Sequence, residues 1–565
     1  MILSKYTNIA LRFMLAMTLL PSLTAKTWAD DDLLYHSPSG ITFRVTSAGL
    51  SSIRLGDRDI ATGGWSAFNA ESWFKDGGSQ IVKSDPQGQR SIKVINDHHA
   101  QVHQAAGDLI CTFDYTFTGE DVLISAHIEN NNAASPMNIV GFTGLTFHFD
   151  KLPAGVMPVQ NITYFQANGI QLCHPSYWQP IGGTYATDNF IGIGTSPWNT
   201  GLTRTTTLWD YTDWNAGKQA NLPERNLRYF VVSPVPARGS ATFDFMLRVS
   251  PNRDWKHLLE KYREHFQKTF GPVQYKLDAR FIATDYLNGG PAAISPANPY
   301  GFQTGDRRID SGVGAQLFCN RTISPIKQEN GQGIILWGQG GEDPRGGMYR
   351  PDFDVLPPAV DANWPLIADR FKSAGLKLGV ATRPRDMAVR LDWKNDEIIS
   401  INPDDPGHRD MLWNRFANML TRGCSFFYLD SFGNSFEDVK LMRFLRGKLG
   451  PNVLTFVEHQ CDAIMPYTGG YSETTFTAAP DGKSGTYRLW SGQDNWQIYQ
   501  WLCPGAQMAA RLLEVHGNLP PGEDPSAWYY QRHITPLIPA VEFRARLWDL
   551  KRLQDKYVTP DGQWR

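Results

Sequence analysis

The segment Cys424-Ser425-Phe426-Phe427-Tyr428-Leu429-Asp430-Ser431-Phe432-Gly433 is a short apolar and aromatic run that stops at a carboxylate. A run of this length without polar alternation reads as a strand buried on both faces, the usual condition of a parallel sheet. In a (β/α)8 barrel the carboxyl end of each strand opens into the active site, so an Asp there is held rigidly and points at whatever the barrel binds. Pro451-Asn452-Val453-Leu454-Thr455-Phe456-Val457-Glu458-His459 repeats the pattern one helix and one strand later. Two carboxylates at neighbouring strand ends are what glycoside cleavage needs: one to attack or stabilise, one to give and take a proton.

The surrounding chain fits a barrel. From about residue 279 onward, strand-like runs alternate with amphipathic helices. The expected strands are 280–285, 333–338, 376–382, 425–430, 453–458, 470–473 and 487–490, with an eighth near 534–538. Helices are expected at 364–374 (Gly375 behind it as a cap), 408–421, 497–515 and 540–557. Before the barrel, 34–249 carries short alternating strands, 41–46, 109–115, 122–128 and 241–247 among them, separated by Gly, Pro and Asn. That pattern suggests a β-sandwich. A capped helix from 251 to about 270 joins the two parts. The expected organisation is therefore a signal segment (1–29), a β-sandwich (30–250), a linker helix (251–274) and a (β/α)8 barrel with a C-terminal helical segment (275–565).

The start of the chain reads as an export signal. Lys5 and Arg12 precede a mostly apolar stretch from Phe13 to Leu23, and Ala25 or Ala29 offers a cleavage point. The apolar stretch is too short to span a bilayer, so the expectation is a secreted or periplasmic protein with no membrane association after cleavage. With 54 basic and 56 acidic residues, the net charge of −2 argues against nucleic acid as a partner. The six cysteines are scattered with no Cys-x-x-Cys pair, so no metal or cofactor is expected. No Gly-x-Ser-x-Gly elbow, His-Glu-x-x-His or dinucleotide fingerprint occurs, so the usual esterase, zinc-peptidase and NAD signals are missing, and the Gly-rich loop at 338–347 lacks the Gly-Lys-Ser/Thr of a phosphate loop. The 18 Trp suit a protein that binds sugars, because a pyranose face packs on an indole.

The strand-end residues are the candidates for chemistry. Asp430 is assigned as nucleophile and Glu458 as general acid/base, the latter needing a raised pKa to hold its proton near neutrality. Glu473, at the sixth strand end, is the rival acid and otherwise a substrate ligand. Asp285, Trp337, Arg383, Arg385, Trp490 and Asp494 occupy other strand ends and are expected to bind an oligo- or polysaccharide substrate. Trp496 is a further stacking candidate. His459 reads as a supporting or core histidine.

These segments resemble a known group. Asp352-Phe353-Asp354, Ser373-Ala374-Gly375-Leu376-Lys377-Leu378-Gly379-Val380 and Phe427-Tyr428-Leu429-Asp430-Ser431-Phe432-Gly433 are similar to the barrel of retaining α-glycoside hydrolases, the broad group of α-galactosidases, α-glucosidases and endo-α-N-acetylgalactosaminidases. The resemblance implies a β-sandwich ahead of the barrel and a nucleophilic Asp at the end of the fourth strand, matching Asp430. It implies an acid/base after the fifth strand in some subgroups, matching Glu458, and after the sixth in others, matching Glu473. Tyr428 stands where the α-amylase pattern has Arg and many α-galactosidases have Lys. On the residues alone two other readings stay open. One is a non-catalytic carbohydrate-binding protein on the same fold. The other is a barrel lyase using Arg383 or Arg385 against an acidic polysaccharide.

Overall fold

The computed structural model describes residues 32–73, 79–83, 89–134, 136, 139–148, 165–166, 169–170, 183–185, 192–197, 204–210, 224–232, 235–252, 255–303, 305–343, 348–388, 397–433, 436–460, 462–489, 496–539 and 550–565. The expected signal segment, Trp490 and Asp494 lie outside these residues, as does the side chain of Trp496.

The N-terminal part is built from two antiparallel sheets of eight and seven strands. Period-two alternation drives their packing. Ile41, Phe43 and Val45 point inward from one sheet, and Leu109, Cys111, Phe113, Tyr115 and Phe117 from the other. Their side chains form one core, with the rings of Tyr35 and Phe117 stacked at 5.0 Å. Each large side chain buried this way contributes roughly 1.5–3 kcal/mol. The four expected strands appear as Ile41–Thr46, Leu109–Thr118, Asp121–Asn130 and Ser240–Ser250. Helix Trp255–Phe270 comes next. Arg248 fastens it to the sheets by donating to both carboxylate oxygens of Asp121, at 2.5 and 2.8 Å, and to the carbonyl of His257 at 2.6 Å.

Eight parallel strands then close into a barrel: β1 (Ile282–Tyr286), β2 (Gly333–Trp337), β3 (Lys377–Thr382), β4 (Cys424–Leu429), β5 (Leu454–Val457), β6 (Gly469–Ala478), β7 (Met508–His516) and β8 (Ile534–Pro539). The ring closes through β1 against β8 and β5 against β6. Alternation again sorts the side chains. Ile282, Ile335, Trp337, Ala381, Phe426, Tyr428, Phe456, Tyr471, Ala509 and Leu537 fill the interior. Their neighbours Ala283, Leu336, Val380, Phe427 and Val457 belong to the larger core packed under the helices.

Two expectations are corrected here. Of the stretch expected as the seventh strand, 487–490, the described residues 487–489 instead belong to strand Gly485–Leu489, which runs antiparallel along the upper half of β6. The expected helix 497–515 is a short helix, Trp496–Leu502, followed by β7. Met508-Ala509-Ala510-Arg511-Leu512-Leu513-Glu514 is rich in good helix formers, and local propensity alone misassigns it. Pro504 and Gly505 end the helix, and pairing with β6 and β8 imposes extension on residues 508–516. Elsewhere helix 364–374 starts earlier, at Pro358, and 408–421 starts at Pro406 behind the N-cap Asp405. Helix Leu550–Tyr557 is the described part of the last expected helix.

The amino-terminal end of the barrel is sealed by polar contacts. Asp278 accepts from Arg280 at 2.6 Å and from Lys377 at 3.0 Å, while Gln332 and Gln507 both donate to its carbonyl. Gln554, in the last helix, accepts from the Phe281 N–H at 2.9 Å and donates to the carbonyls of Glu329 and Asn330.

Candidate active site

The alternation that fills the barrel also builds the site. Counting two residues up β3 to β7 from the interior layer, and four up β1 from Ile282, brings Tyr286, Arg383, Asp430, Glu458, Glu473 and Arg511 to the mouth. Below them Trp337 lies 5.1 Å from the Tyr286 ring and 4.9 Å from that of Tyr428, which meets Tyr471 edge-on at 4.9 Å. The ring of charged groups thus stands on an aromatic floor.

Asp430 is 9% exposed. Its backbone N–H donates to the Thr382 carbonyl at 2.8 Å, continuing the β3–β4 ladder by one residue. The phenol of Tyr349 donates to Oδ2 of Asp430 at 2.6 Å. Tyr349 comes from a small hairpin after β2, Glu342–Asp343 against Met348–Tyr349. Burial first, and then the charge of Asp430, raises the Tyr349 phenol well above its usual range, so it remains a donor. Arg383 donates to the Tyr349 carbonyl at 2.8 Å, with its guanidinium 5.4 Å from the Tyr349 ring.

The residue after Asp430 is unusual. Ser431 has φ +52°, a left-handed conformation that a non-glycine residue adopts at a cost of about 1–3 kcal/mol. The turn aims the Ser431 N–H at Oε2 of Glu458, 2.7 Å away. Gly433, at φ +119°, lets the chain pass the His459 carbonyl, which a β-carbon would approach to 2.5 Å.

Three carboxyls converge here. The Glu458 pKa is pushed up to about 8, by burial first and then by a hydrogen bond and charge repulsion from Asp430; the Ser431 N–H opposes the shift. Nε2 of His459 lies 3.4 Å from the same Glu458 oxygen, and burial lowers its pKa. Glu473 is also raised, by burial first and in part by Asp430, against lowering contributions from Arg511 and Tyr471. Tyr471 donates to Glu473 at 3.3 Å, and Arg511 donates to the Tyr286 hydroxyl at 2.9 Å. A fixed carboxyl beside one that keeps its proton near neutrality, with a third whose pKa is also raised, can carry out nucleophilic attack coupled to proton transfer.

The other expected residues are distributed differently. Trp337 lies in the floor, 5% exposed. Arg385 sits outside the ring, its Nε 3.4 Å from Asp438. Asp285 points away from the barrel axis and is held by Arg307 at 2.9 Å and by Arg321, 3% exposed. Its neighbour Tyr286 takes the mouth position instead, so period-two counting from Ile282 would have found it. Arg511 is hidden in the sequence by the helical propensity of β7. Tyr349 lies in an irregular loop and gives no periodic signal. Among the described residues no group of three or more His, Cys, Asp or Glu is arranged to hold a metal ion.

The whole-chain fold has solved counterparts. The structure matches that of an α-N-acetylgalactosaminidase from Bifidobacterium bifidum in complex with GalNAc, at 12% identity, a TM-score of 0.57, and coverage of 92% of this chain and 93% of that one. The ligand-free form of that enzyme matches at 12% identity and a TM-score of 0.56, covering 93% of each chain. At this identity the likeness is one of fold, a sandwich followed by a barrel, and it agrees with the resemblance read from the sequence. No family model matches the chain, and no curated protein matches it.

Proposed function

We propose that this protein is an exported glycoside hydrolase that cleaves an α-linked glycan by double displacement. The observation that carries the proposal is Asp430, buried at the end of β4, fixed by Tyr349 and faced by two carboxyls with raised pKa values. An oxygen of Asp430 attacks the anomeric carbon while the glycosidic oxygen departs with a proton from the acid. Water, deprotonated by the same group, then attacks that carbon and releases Asp430. The fold counterpart crystallised with GalNAc makes α-linked N-acetylgalactosaminides and galactosides the first substrates to try. Arg383, the Trp337 floor and Tyr286 are the proposed ligands of the bound sugar. The apolar segment near the start of the chain supports export.

Glu458 is the proposed acid/base, because a pKa near 8 keeps it protonated at neutrality. One observation favours Glu473 for that role. A retaining pair stands roughly 5 Å apart, and a carboxyl hydrogen-bonded to Asp430, as Glu458 is, sits closer than that. Glu473 acts on Asp430 by charge alone. On this second reading Glu458 holds a proton for Asp430 and Glu473 serves the leaving group.

The test is hydrolysis of a panel of aryl α- and β-glycosides by the mature protein and by Asp430→Asn. Release from an α-glycoside by the parent, reduced at least 1,000-fold in the variant as expected of a lost catalytic nucleophile (~10³ or more), supports the proposal. Equal release by both would remove Asp430 as the nucleophile.

A further inference from the structure

β6 and β7 do not stop at the barrel mouth. β5 ends at Val457 and pairs with β6 only at Gly469 and Gly470. β6 continues to Ala478 and β7 to His516, and strand Gly485–Leu489 takes over the β5-side edge of β6 from Thr474 to Ala478. The result is a three-stranded wall on one side of the mouth. At about 3.3 Å per residue it rises roughly 13 Å from Glu473 to Thr477.

The two faces of the wall differ. Cross-strand partners share a face, so Thr475 and Thr477 continue the inward row of Tyr471 and Glu473, joined by Thr486 and His516 opposite Thr477. Thr477, Thr486 and His516 are exposed. The opposite face is apolar and anchored, with Phe476 and Tyr487 rings at 4.7 Å and Tyr487 and Trp528 rings at 5.4 Å. The wall is therefore fixed from behind and hydroxyl-rich in front. At its foot stand Glu458 and Glu473, the two candidate proton donors.

We infer that the inward face of this wall binds the leaving-group side of the substrate, and that this group is itself an oligosaccharide. The inference rests on the proposed glycosidase reading. A leaving oxygen must lie against the group that protonates it, and both candidates lie under the wall. Whatever is attached to that oxygen then runs along Thr475, Thr477 and Thr486. Threonine hydroxyls donate and accept hydrogen bonds, which matches sugar hydroxyls.

The experiment compares two substrates carrying the same sugar: an α-glycosyl fluoride, whose leaving group is too small to touch the wall, and an α-linked oligosaccharide. N-acetylgalactosaminyl and galactosyl pairs are used first. The ratio of kcat/KM for oligosaccharide over fluoride is measured for the parent, for Thr477→Val/Thr486→Val, and for Thr477→Arg, which adds bulk at the face. The ratio is expected to fall at least tenfold in both variants. An unchanged ratio in folded variants, with the parent active on the fluoride, overturns the wall inference and leaves the glycosidase reading standing. A parent inactive on every fluoride and oligosaccharide overturns both.

Discussion

The phenolic oxygen of Tyr349 lies 2.6 Å from Oδ2 of Asp430, although 81 residues separate the two in the chain. The contact joins a hairpin in the loop after β2 to the end of β4. It supplies a neutral donor to the carboxylate from an element remote in the chain. A hydrogen bond to a charged group contributes about 1.5–3 kcal/mol, or about tenfold to a hundredfold in rate if it orients the nucleophile. Tyr349→Phe is expected to lower kcat/KM by that factor with the fold intact, as read by initial rates beside a thermal melt. A rate within twofold of the parent would leave Tyr349 a packing residue.

Glu458 links the site to pH. Its pKa is about 8 in the folded chain and about 4.3 in an unfolded one. Between these values the folded state holds a proton that the unfolded state has released. Stability therefore falls as pH rises through this window, by at most about 1.4 kcal/mol per unit, and the contribution is level below and above it. Denaturation midpoints from pH 4 to 9 are expected to slope less in Glu458→Gln than in the parent.

The two candidate proton donors separate by chemical rescue. With an activated aryl leaving group, loss of the true acid/base spares the first step and slows the second, and added azide then restores turnover. Rescue of Glu458→Gln alone would support the pattern in which the acid follows the fifth strand. Rescue of Glu473→Gln alone would transfer the role to β6.

Asp285 is expected to matter for stability and little for chemistry. It is buried between Arg307 and Arg321 on the outer face of β1. Removing one member of a buried ion pair costs about 3–5 kcal/mol. Asp285→Ala should lower the urea midpoint accordingly while the activity per folded molecule stays within severalfold of the parent.

The fold and the main carboxylates are legible in the sequence because both depend on simple periodicities. Buried parallel strands write themselves as apolar runs, so β1 to β5 and the ends at Asp430 and Glu458 can be read directly. β7 cannot, because Met508-Ala509-Ala510 carries helical propensity and only its pairing with β6 and β8 makes it extended. Arg511 is lost with it. At β1 the strand is legible but its phase is easily counted one residue short, which puts Asp285 where Tyr286 stands. Tyr349 reaches Asp430 through a tertiary contact, and nothing local to its loop encodes that.

The seam between β1 and β8 has a consequence for how the barrel is made. It pairs Ile282 with Leu537, and Gln554 then bridges Phe281 to Glu329 and Asn330. A ribosome that has emitted Ile282 must deliver 255 more residues, to Leu537, before that strand finds its second partner. Until then β1 offers an open edge, and closure across so long a sequence separation is slow. The sandwich, whose described strands all precede residue 251, can condense early during synthesis, whereas the barrel can close only after β8 has been made.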